Sequence, residues 1–265
     1  MTEQECSLYL ERRDSVATIT INRPGQRNAI GYEMWVELRR LAAEIGADDA
    51  IRVLVIRGAG AEAFSAGADI AEFDKCRNDS TQARVYSEAF DGAMDAIWDL
   101  GKPVIAMIQG FCVGGGLELA CCADLRIAAE GSRFGIPTAR LGVLVGYREM
   151  RRLIHLVGLG VASDILLAAR ILGADEALQV GLVSRVVAGS ALAEEVDRTA
   201  DDMARMAPLV HRWHKQIMRT VLGNPGLKDL TPDQESAPFA CFDTEDFQEG
   251  RRAFLEKRTP VFRGR

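Results

Sequence analysis

The amino-acid sequence predicts an α/β fold, because short apolar runs alternate with helical patterns along most of the chain. Residues 52–56, 104–108 and 125–128 are apolar runs of strand length, and helical segments separate them. Strands that alternate with helices are typical of a sheet with helices packed on its faces. With 265 residues and 48% hydrophobic content, the chain is long enough to bury the core of an enzyme-sized domain.

The remaining elements follow in order from hydrophobic spacing. Residues 8–12 and 16–21 predict a hairpin around a polar turn. The last predicted strand is 183–187, and beyond it the pattern is helical, with a break at Pro208. Apolar residues recur at helical spacing in two sets: Met34, Leu38, Leu41 and Ile45, then Leu192, Val196, Ala200 and Met203.

Composition limits the classes of partner. The net charge of −6, from 32 basic and 38 acidic residues, argues against nucleic acid or an anionic membrane as the main partner. The six cysteines form neither a spaced metal site nor a disulfide framework, and the three histidines show no metal-ligand spacing. The chain starts with polar residues and contains no apolar run of about 18 residues, so we expect a cytoplasmic location.

Two glycine-containing motifs predict a site for an anion. Residues 63–70 read Ala-Phe-Ser-Ala-Gly-Ala-Asp-Ile, and residues 110–120 contain three consecutive glycines, Gly114 to Gly116, after an apolar strand. A strand that leads through glycines into a helix leaves free backbone N–H groups ahead of the helix. No lysine follows, as a nucleotide-phosphate loop would require, and the spacing differs from the dinucleotide fingerprint. Glu118 should reach back toward those N–H groups, an arrangement that suits carbonyl chemistry.

The two motifs together closely resemble the crotonase (enoyl-CoA hydratase/isomerase) superfamily. The resemblance extends from Ile21-Asn22-Arg23-Pro24 to the segment 253–258. It implies a crotonase-type spiral of β-β-α units, with an acyl-CoA-binding core over residues 1–205 and a C-terminal helical oligomerisation region over 206–265. It also implies a homotrimer or a dimer of trimers. Five phenylalanines agree with such an interface, because they crowd a short helical tail: Phe239, Phe242, Phe247, Phe254 and Phe262.

The resemblance also implies the roles of individual residues. The N–H groups of Ala68 and Gly115 form the oxyanion hole for a coenzyme A thioester, and Glu118 matches the first catalytic glutamate, which orients and activates water. No cofactor is implied beyond the coenzyme A of the substrate, and no metal. Helix–strand packing is the alternative role for Gly114 to Gly116, and a solvated loop charge is the alternative for Arg27. The further substrate-binding residues by position are Arg27, Ala66, Asp69, Ile70, Gly114, Phe254 and Lys257.

The sequence departs from the family pattern at two places. Thr138 stands where the second catalytic glutamate is expected, and a threonine hydroxyl is no acid or base near neutral pH. Where many relatives have a glycine-rich turn, this chain has residues 145–150, Val-Gly-Tyr-Arg-Glu-Met. Tyr147 and Glu149 are therefore candidates for a relocated acid or base, with a structural role as the alternative.

The predicted function is a lyase of the enoyl-CoA hydratase/isomerase family, active in fatty acid metabolism through an enolate-like intermediate. One alternative is a decarboxylase, C–C hydrolase or isomerase that uses the same oxyanion hole. The other is an acyl-CoA-binding protein with little turnover. Retention of Glu118 favours an enzyme, and Thr138 favours weak or altered hydration.

Overall fold

A computed structural model describes residues 7–265, and the α/β prediction is confirmed. The polar start of the chain, where we expect no secretion signal, lies outside the described residues. The larger sheet has six strands, which are parallel except for the first, antiparallel pair. Their order is β1 (Leu8–Arg13), β2 (Val16–Ile21), β3 (Val53–Gly58), β5 (Val104–Ile108), β7 (Leu125–Ala129) and β10 (Arg185–Val187).

The smaller sheet positions the two glycine motifs. Its strands are β4 (Ala63–Ser65), β6 (Phe111–Val113), β8 (Arg133–Gly135) and β9 (Leu172–Gly173), in that order. Because β4 and β6 pair in parallel, they end at the same edge of the sheet. The loop that follows β4 and the helix that follows β6 therefore begin side by side.

Ten helices flank the sheets in the described part of the chain, and they cover both faces of the larger sheet. Alternate residues of β3 point to opposite faces: Leu54 packs in the main core, whereas Val53 packs on the seventh helix. The helices are α1 (Tyr32–Ala47), α2 (Phe73–Cys76), α3 (Ser80–Trp98), α4 (Gly115–Ala120), α5 (Tyr147–Leu167), α6 (Ala174–Gln179), α7 (Leu192–Ala204), α8 (Pro208–Gly223), α9 (Pro232–Ser236) and α10 (Glu245–Glu256).

The last strand is shorter than predicted. Val183 is buried but lies before β10, and its N–H donates to the carbonyl of Ala177 in α6. That hydrogen bond closes the end of the helix, so the backbone of Val183 does not pair with β7. Pro208 does mark a boundary, because it opens α8, where its missing N–H costs nothing.

Buried polar contacts attach α8 to the core and the end of the chain to α10. Lys215 of α8 is 4% exposed, and its Nζ lies 2.6 Å from a carboxylate oxygen of Asp124. In α10, the carboxylate of Asp246 accepts hydrogen bonds from the N–H groups of Arg263 and Gly264. No helix within residues 7–265 is long and apolar enough to span a membrane.

Candidate active site

The two glycine motifs meet at the edge of the smaller sheet. Gly67 has a φ of +96°, which favours glycine, and a Cβ added there would lie 3.0 Å from the nitrogen of Gly115. A Cβ added to Gly115 would in turn lie 3.4 Å from the nitrogen of Ala68. The absence of a side chain at Gly67 thus lets the loop that carries Ala68 approach the start of α4, and a Cβ at Gly115 would be in ordinary contact with the Ala68 nitrogen.

Both of these amides are available to a ligand. The N–H of Ile30 donates to the carbonyl of Gly67 and the N–H of Asp69 donates to the carbonyl of Ile30, which fixes Ala68 without using its own N–H. Gly115 is the first residue of α4, where N–H groups have no partner within the helix. Neither amide has an acceptor among residues 7–265. Two convergent N–H donors of this kind can bind an oxygen that gains negative charge.

Glu118 is a buried carboxyl beside these donors. It lies in the first turn of α4 and is 7% exposed. Burial, assisted by the negative charge of Glu149, raises the pKa of Glu118 to about 8, and Arg77 opposes this shift. A carboxyl with this pKa holds a proton near neutral pH and can exchange it, as general acid–base catalysis requires.

Glu149 is a second buried carboxyl in the same cavity. It is 3% exposed, and burial raises its pKa, with a smaller contribution from Asp91. Its Oε1 lies 3.5 Å from a guanidinium nitrogen of Arg152, which is itself held by Asp95 at 2.5 Å. The other oxygen, Oε2, faces Gly146, where an added Cβ would lie only 2.5 Å away. Gly146 therefore leaves the space that the Glu149 carboxylate occupies.

A cavity of about 520 Å³ joins these groups, a size typical of small-molecule sites. Of the residues singled out in the sequence, it is lined by Ala66, Ala68, Ile70, Gly114, Gly115, Glu118, Thr138 and Glu149. Tyr147 is not in the lining and is 95% exposed. Of the two candidates for a relocated acid or base, the structure thus brings only Glu149 to the cavity.

The other residues assigned to substrate binding lie outside the cavity. Arg27 pairs with Glu62 at 2.6 Å, and Asp69 pairs with Arg23 at 2.8 Å while its side chain caps a short helical turn. Phe254 is 83% exposed, and Lys257 is exposed at the end of α10. Their roles toward coenzyme A remain predictions.

The cavity also contains polar residues that the sequence analysis did not single out. The side chains of Arg77, Arg84, Ser87 and Asp91 line it, and three of them belong to α3. The spacing of Arg84, Ser87 and Asp91 by three and four residues predicts that they share one face of a helix. A polar face of a helix, however, ordinarily indicates exposure to solvent. No group of three or more His, Cys, Asp or Glu residues suited to a metal ion occurs in the described chain.

The raised pKa of Glu118 predicts a pH-dependent gain in stability for Glu118→Gln. Between about pH 4.5, where this carboxyl titrates in the unfolded chain, and about pH 8, only the unfolded chain loses the proton. The stability of the natural protein should therefore fall as the pH rises through this window. Glutamine does not ionise, so the variant's advantage in unfolding free energy should grow from pH 4.5 to 8 and then level off.

Urea unfolding of both proteins at a series of pH values measures this difference. Glu88→Gln is the matched control, because Glu88 lies exposed on α3 outside the cavity, and its curve should run parallel to that of the natural protein. A difference between Glu118→Gln and the natural protein that stays constant across the window would contradict the buried, protonated carboxyl.

Comparison with known proteins identifies relatives along nearly the full chain. Residues 11–265 match the protein-family model described as Enoyl-CoA hydratase/isomerase. Crotonyl-CoA hydratase of Syntrophomonas wolfei is 36% identical, over 97% of each chain. Short-chain-enoyl-CoA hydratase of Clostridium acetobutylicum is 36% identical, over 95% of each chain. The crystal structure of an enoyl-CoA hydratase/carnithine racemase from Magnetospirillum magneticum superposes with a TM-score of 0.94 at 40% identity, covering 99% of this chain and 97% of that one.

Proposed function

This chain belongs to the enoyl-CoA hydratase/isomerase family, and we propose that it adds water across the double bond of an enoyl-CoA thioester. The fold is the crotonase fold, as the superposed hydratase structures indicate. The observation that supports hydration most is the placement of two buried carboxyls, Glu118 and Glu149, in one cavity with two free amides.

In the proposed reaction, the thioester oxygen accepts hydrogen bonds from the N–H groups of Ala68 and Gly115. These donors stabilise the enolate-like charge that develops on the oxygen, and each is worth about 3 kcal/mol of barrier. The hydroxyl of water bonds to the carbon farther from the thioester, and a proton bonds to the carbon next to it. The reaction needs no cofactor besides the coenzyme A of the substrate.

The two glutamates supply and remove the protons in this proposal. Burial first, and the negative charge of Glu149 second, raise the pKa of Glu118 to about 8, and we assign one proton to the pair near neutral pH. The ionised member accepts a proton from water, and the protonated member gives one to carbon. Thr138 lines the cavity as a polar contact and is not assigned a proton-transfer step.

The direct test is incubation of the protein with crotonyl-CoA, following the loss of absorbance of the conjugated thioester and identifying the 3-hydroxyacyl product by mass. Turnover at an enzymatic rate supports hydration. Tight binding of crotonyl-CoA without product would instead support the alternative of an acyl-CoA-binding protein. Failure of both binding and turnover would overturn the assignment of the cavity.

Gly146→Ala is expected to lower the rate of hydration by about 10²-fold, because the new Cβ displaces the Glu149 carboxylate. The fold should tolerate the change: Gly146 has a φ of −69°, which alanine adopts readily, and the displaced atoms end a flexible side chain. Gly160→Ala is the matched control, since nothing lies within 4 Å of an added Cβ there. Thermal unfolding and crotonyl-CoA hydration are measured for both. Equal hydration rates in the two variants would mean that the position of the Glu149 carboxylate does not affect hydration.

We further propose that residues 206–265 form contacts between subunits in a trimer or a dimer of trimers. Phe239 and Phe254 are 67% and 83% exposed in the single chain, an unfavourable arrangement for large apolar side chains in water. Association would bury them. Light scattering at micromolar concentration should give a trimer or hexamer mass, and a stable monomer would contradict the proposal.

A further inference from the structure

One wall of the cavity is polar, although the cavity would receive an acyl chain. Most of this wall is a face of α3, on which Ser80, Arg84, Ser87 and Asp91 recur every three or four residues. Ala83 and Phe90 of α3 also line the cavity, and Arg77 precedes the helix. A second part of the lining is apolar and comes from the segment 141–145, with Leu141, Val143, Leu144 and Val145. A purely hydrocarbon chain would leave the polar groups of the α3 wall without a partner in the ligand.

Arg77 is held in place at the polar wall without a carboxylate partner. Its guanidinium lies 5.1 Å from the ring centroids of both Phe73 and Tyr86, and the side chain is half-buried. Contacts of this kind fix a guanidinium through the ring faces and leave its N–H donors free. No carboxylate oxygen of residues 7–265 lies within 4.0 Å of it.

Arg84 is the second unpaired arginine of this wall. Glu88 follows it by one helical turn, yet the two do not form an ion pair. Some exposed arginines, such as Arg40 and Arg170, each contact two carboxylates, whereas others, such as Arg39 and Arg151, contact none among residues 7–265. The cavity is thus lined by two guanidinium groups, and neither forms an ion pair with a carboxylate of residues 7–265.

We propose that the substrate's acyl group carries a carboxylate at its far end, which Arg77 and Arg84 bind. The inference rests on the proposed function, because it assumes that the cavity receives an acyl-CoA. Arginine suits this role, since its fork of N–H donors binds both oxygens of a carboxylate. The polar wall then recognises the end of the acyl group, and the apolar part of the lining packs along its carbon chain.

The acidic residue of the same wall does not oppose this placement. Asp91 follows Arg84 by seven residues, which places it about 10 Å farther along the helix axis. Asp91 accepts a hydrogen bond from Ser87 and acts electrostatically on Glu118 and Glu149. Asp91 is thus separated from Arg84 along α3, and both Asp91 and Arg77 lie close enough to Glu118 to act on it electrostatically.

The test compares matched pairs of substrates that differ only in the terminal group: octenoyl-CoA against octenedioyl-CoA, and pentenoyl-CoA against glutaconyl-CoA. The natural protein should show a kcat/KM about 10- to 100-fold higher for the carboxylated member of at least the better-fitting pair. Arg84→Gln and Arg77→Gln should each lower the ratio of carboxylated to neutral kcat/KM by about 10-fold or more. Arg151→Gln, an exposed arginine of α5 outside the cavity, should leave the ratio unchanged.

Two results would overturn the inference while leaving hydration intact. The first is a natural protein that prefers the neutral member of both pairs. The second is an equal loss for both members in the Arg77 and Arg84 variants, which would place these arginines against the coenzyme A portion common to all substrates. Binding of the unreactive octanoyl-CoA and octanedioyl-CoA, measured by calorimetry, tests the carboxylate preference separately, even if the protein hydrates nothing.

Discussion

Glu118→Gln is expected to lower kcat for enoyl-CoA hydration by about 10²- to 10⁴-fold, the contribution of one general acid or base. Glutamine keeps the size of the side chain but neither accepts nor gives the proton that the reaction moves. Since Glu118 is buried and largely protonated near neutral pH, the substitution should not unfold the protein. Binding of a saturated acyl-CoA should be retained, because the Ala68 and Gly115 amides are unaffected.

Steady-state hydration of crotonyl-CoA and calorimetric binding of butyryl-CoA measure these two quantities separately. Glu88→Gln makes the same chemical change on an exposed face of α3 and should leave both unchanged. Loss of binding together with activity would point to a structural role for Glu118, the alternative in which its carboxylate interacts only with the helix dipole. Near-normal hydration in Glu118→Gln would remove this residue from the mechanism.

The central part of the site was predictable because local backbone chemistry determines it. A strand, glycines and a helix start were visible in the sequence at the second motif, residues 110–120. Parallel pairing of β4 and β6 then brings the two loops together. The small distances around Gly67 and its positive φ explain why a side chain is missing at that position. The position of Glu118 follows in the same way from the direction of side chains in the first turn of α4.

The choice between Tyr147 and Glu149 depended on tertiary packing. The two residues are separated by two positions of α5, or about 200° around the helix, so they cannot face the same cavity. Glu149 shares the buried face with Arg152 and Leu153, at the helical spacings of three and four residues. A buried face that contains a glutamate and an arginine has no hydrophobic pattern, and the sequence alone therefore did not separate the two candidates.

The polar wall of the cavity was hidden for a related reason. Ser80, Arg84, Ser87 and Asp91 look like the solvent-exposed face of an amphipathic helix, and α3 does bury Ala93, Met94 and Ile97 in the core. That face becomes the wall of a cavity because segments distant in the sequence, among them 141–145, line the same space. Contacts between segments that are distant in the sequence cannot be predicted from the local hydrophobic periodicity of either segment.

Glu149→Gln is expected to lower hydration by about 10²- to 10⁴-fold, and a second substitution, Thr138→Glu, is expected to restore part of the loss. The sequence alone predicts that Thr138→Glu by itself raises the rate, because a glutamate is expected at that position in the family. With Glu149 buried in the same cavity, the single variant should change little, because we propose that Glu149 of α5 takes the acid–base role that Thr138 cannot fill. Thr138→Glu should raise the hydration rate only in the protein that also carries Glu149→Gln.

The four proteins of this cycle are the natural protein, each single variant and the double variant. Hydration of crotonyl-CoA is measured for each, with urea unfolding as a check, since removing the charge of Glu149 leaves buried Arg152 with Asp95 alone. Tyr147→Phe is the control and should retain full activity, because the phenol is 95% exposed. Full activity in Glu149→Gln, combined with a large gain in the hydration rate of Thr138→Glu, would contradict a catalytic role for Glu149. The chain would then be a hydratase that lacks its second acid–base group at position 138, and the buried carboxyl of Glu149 would serve only to pair with Arg152.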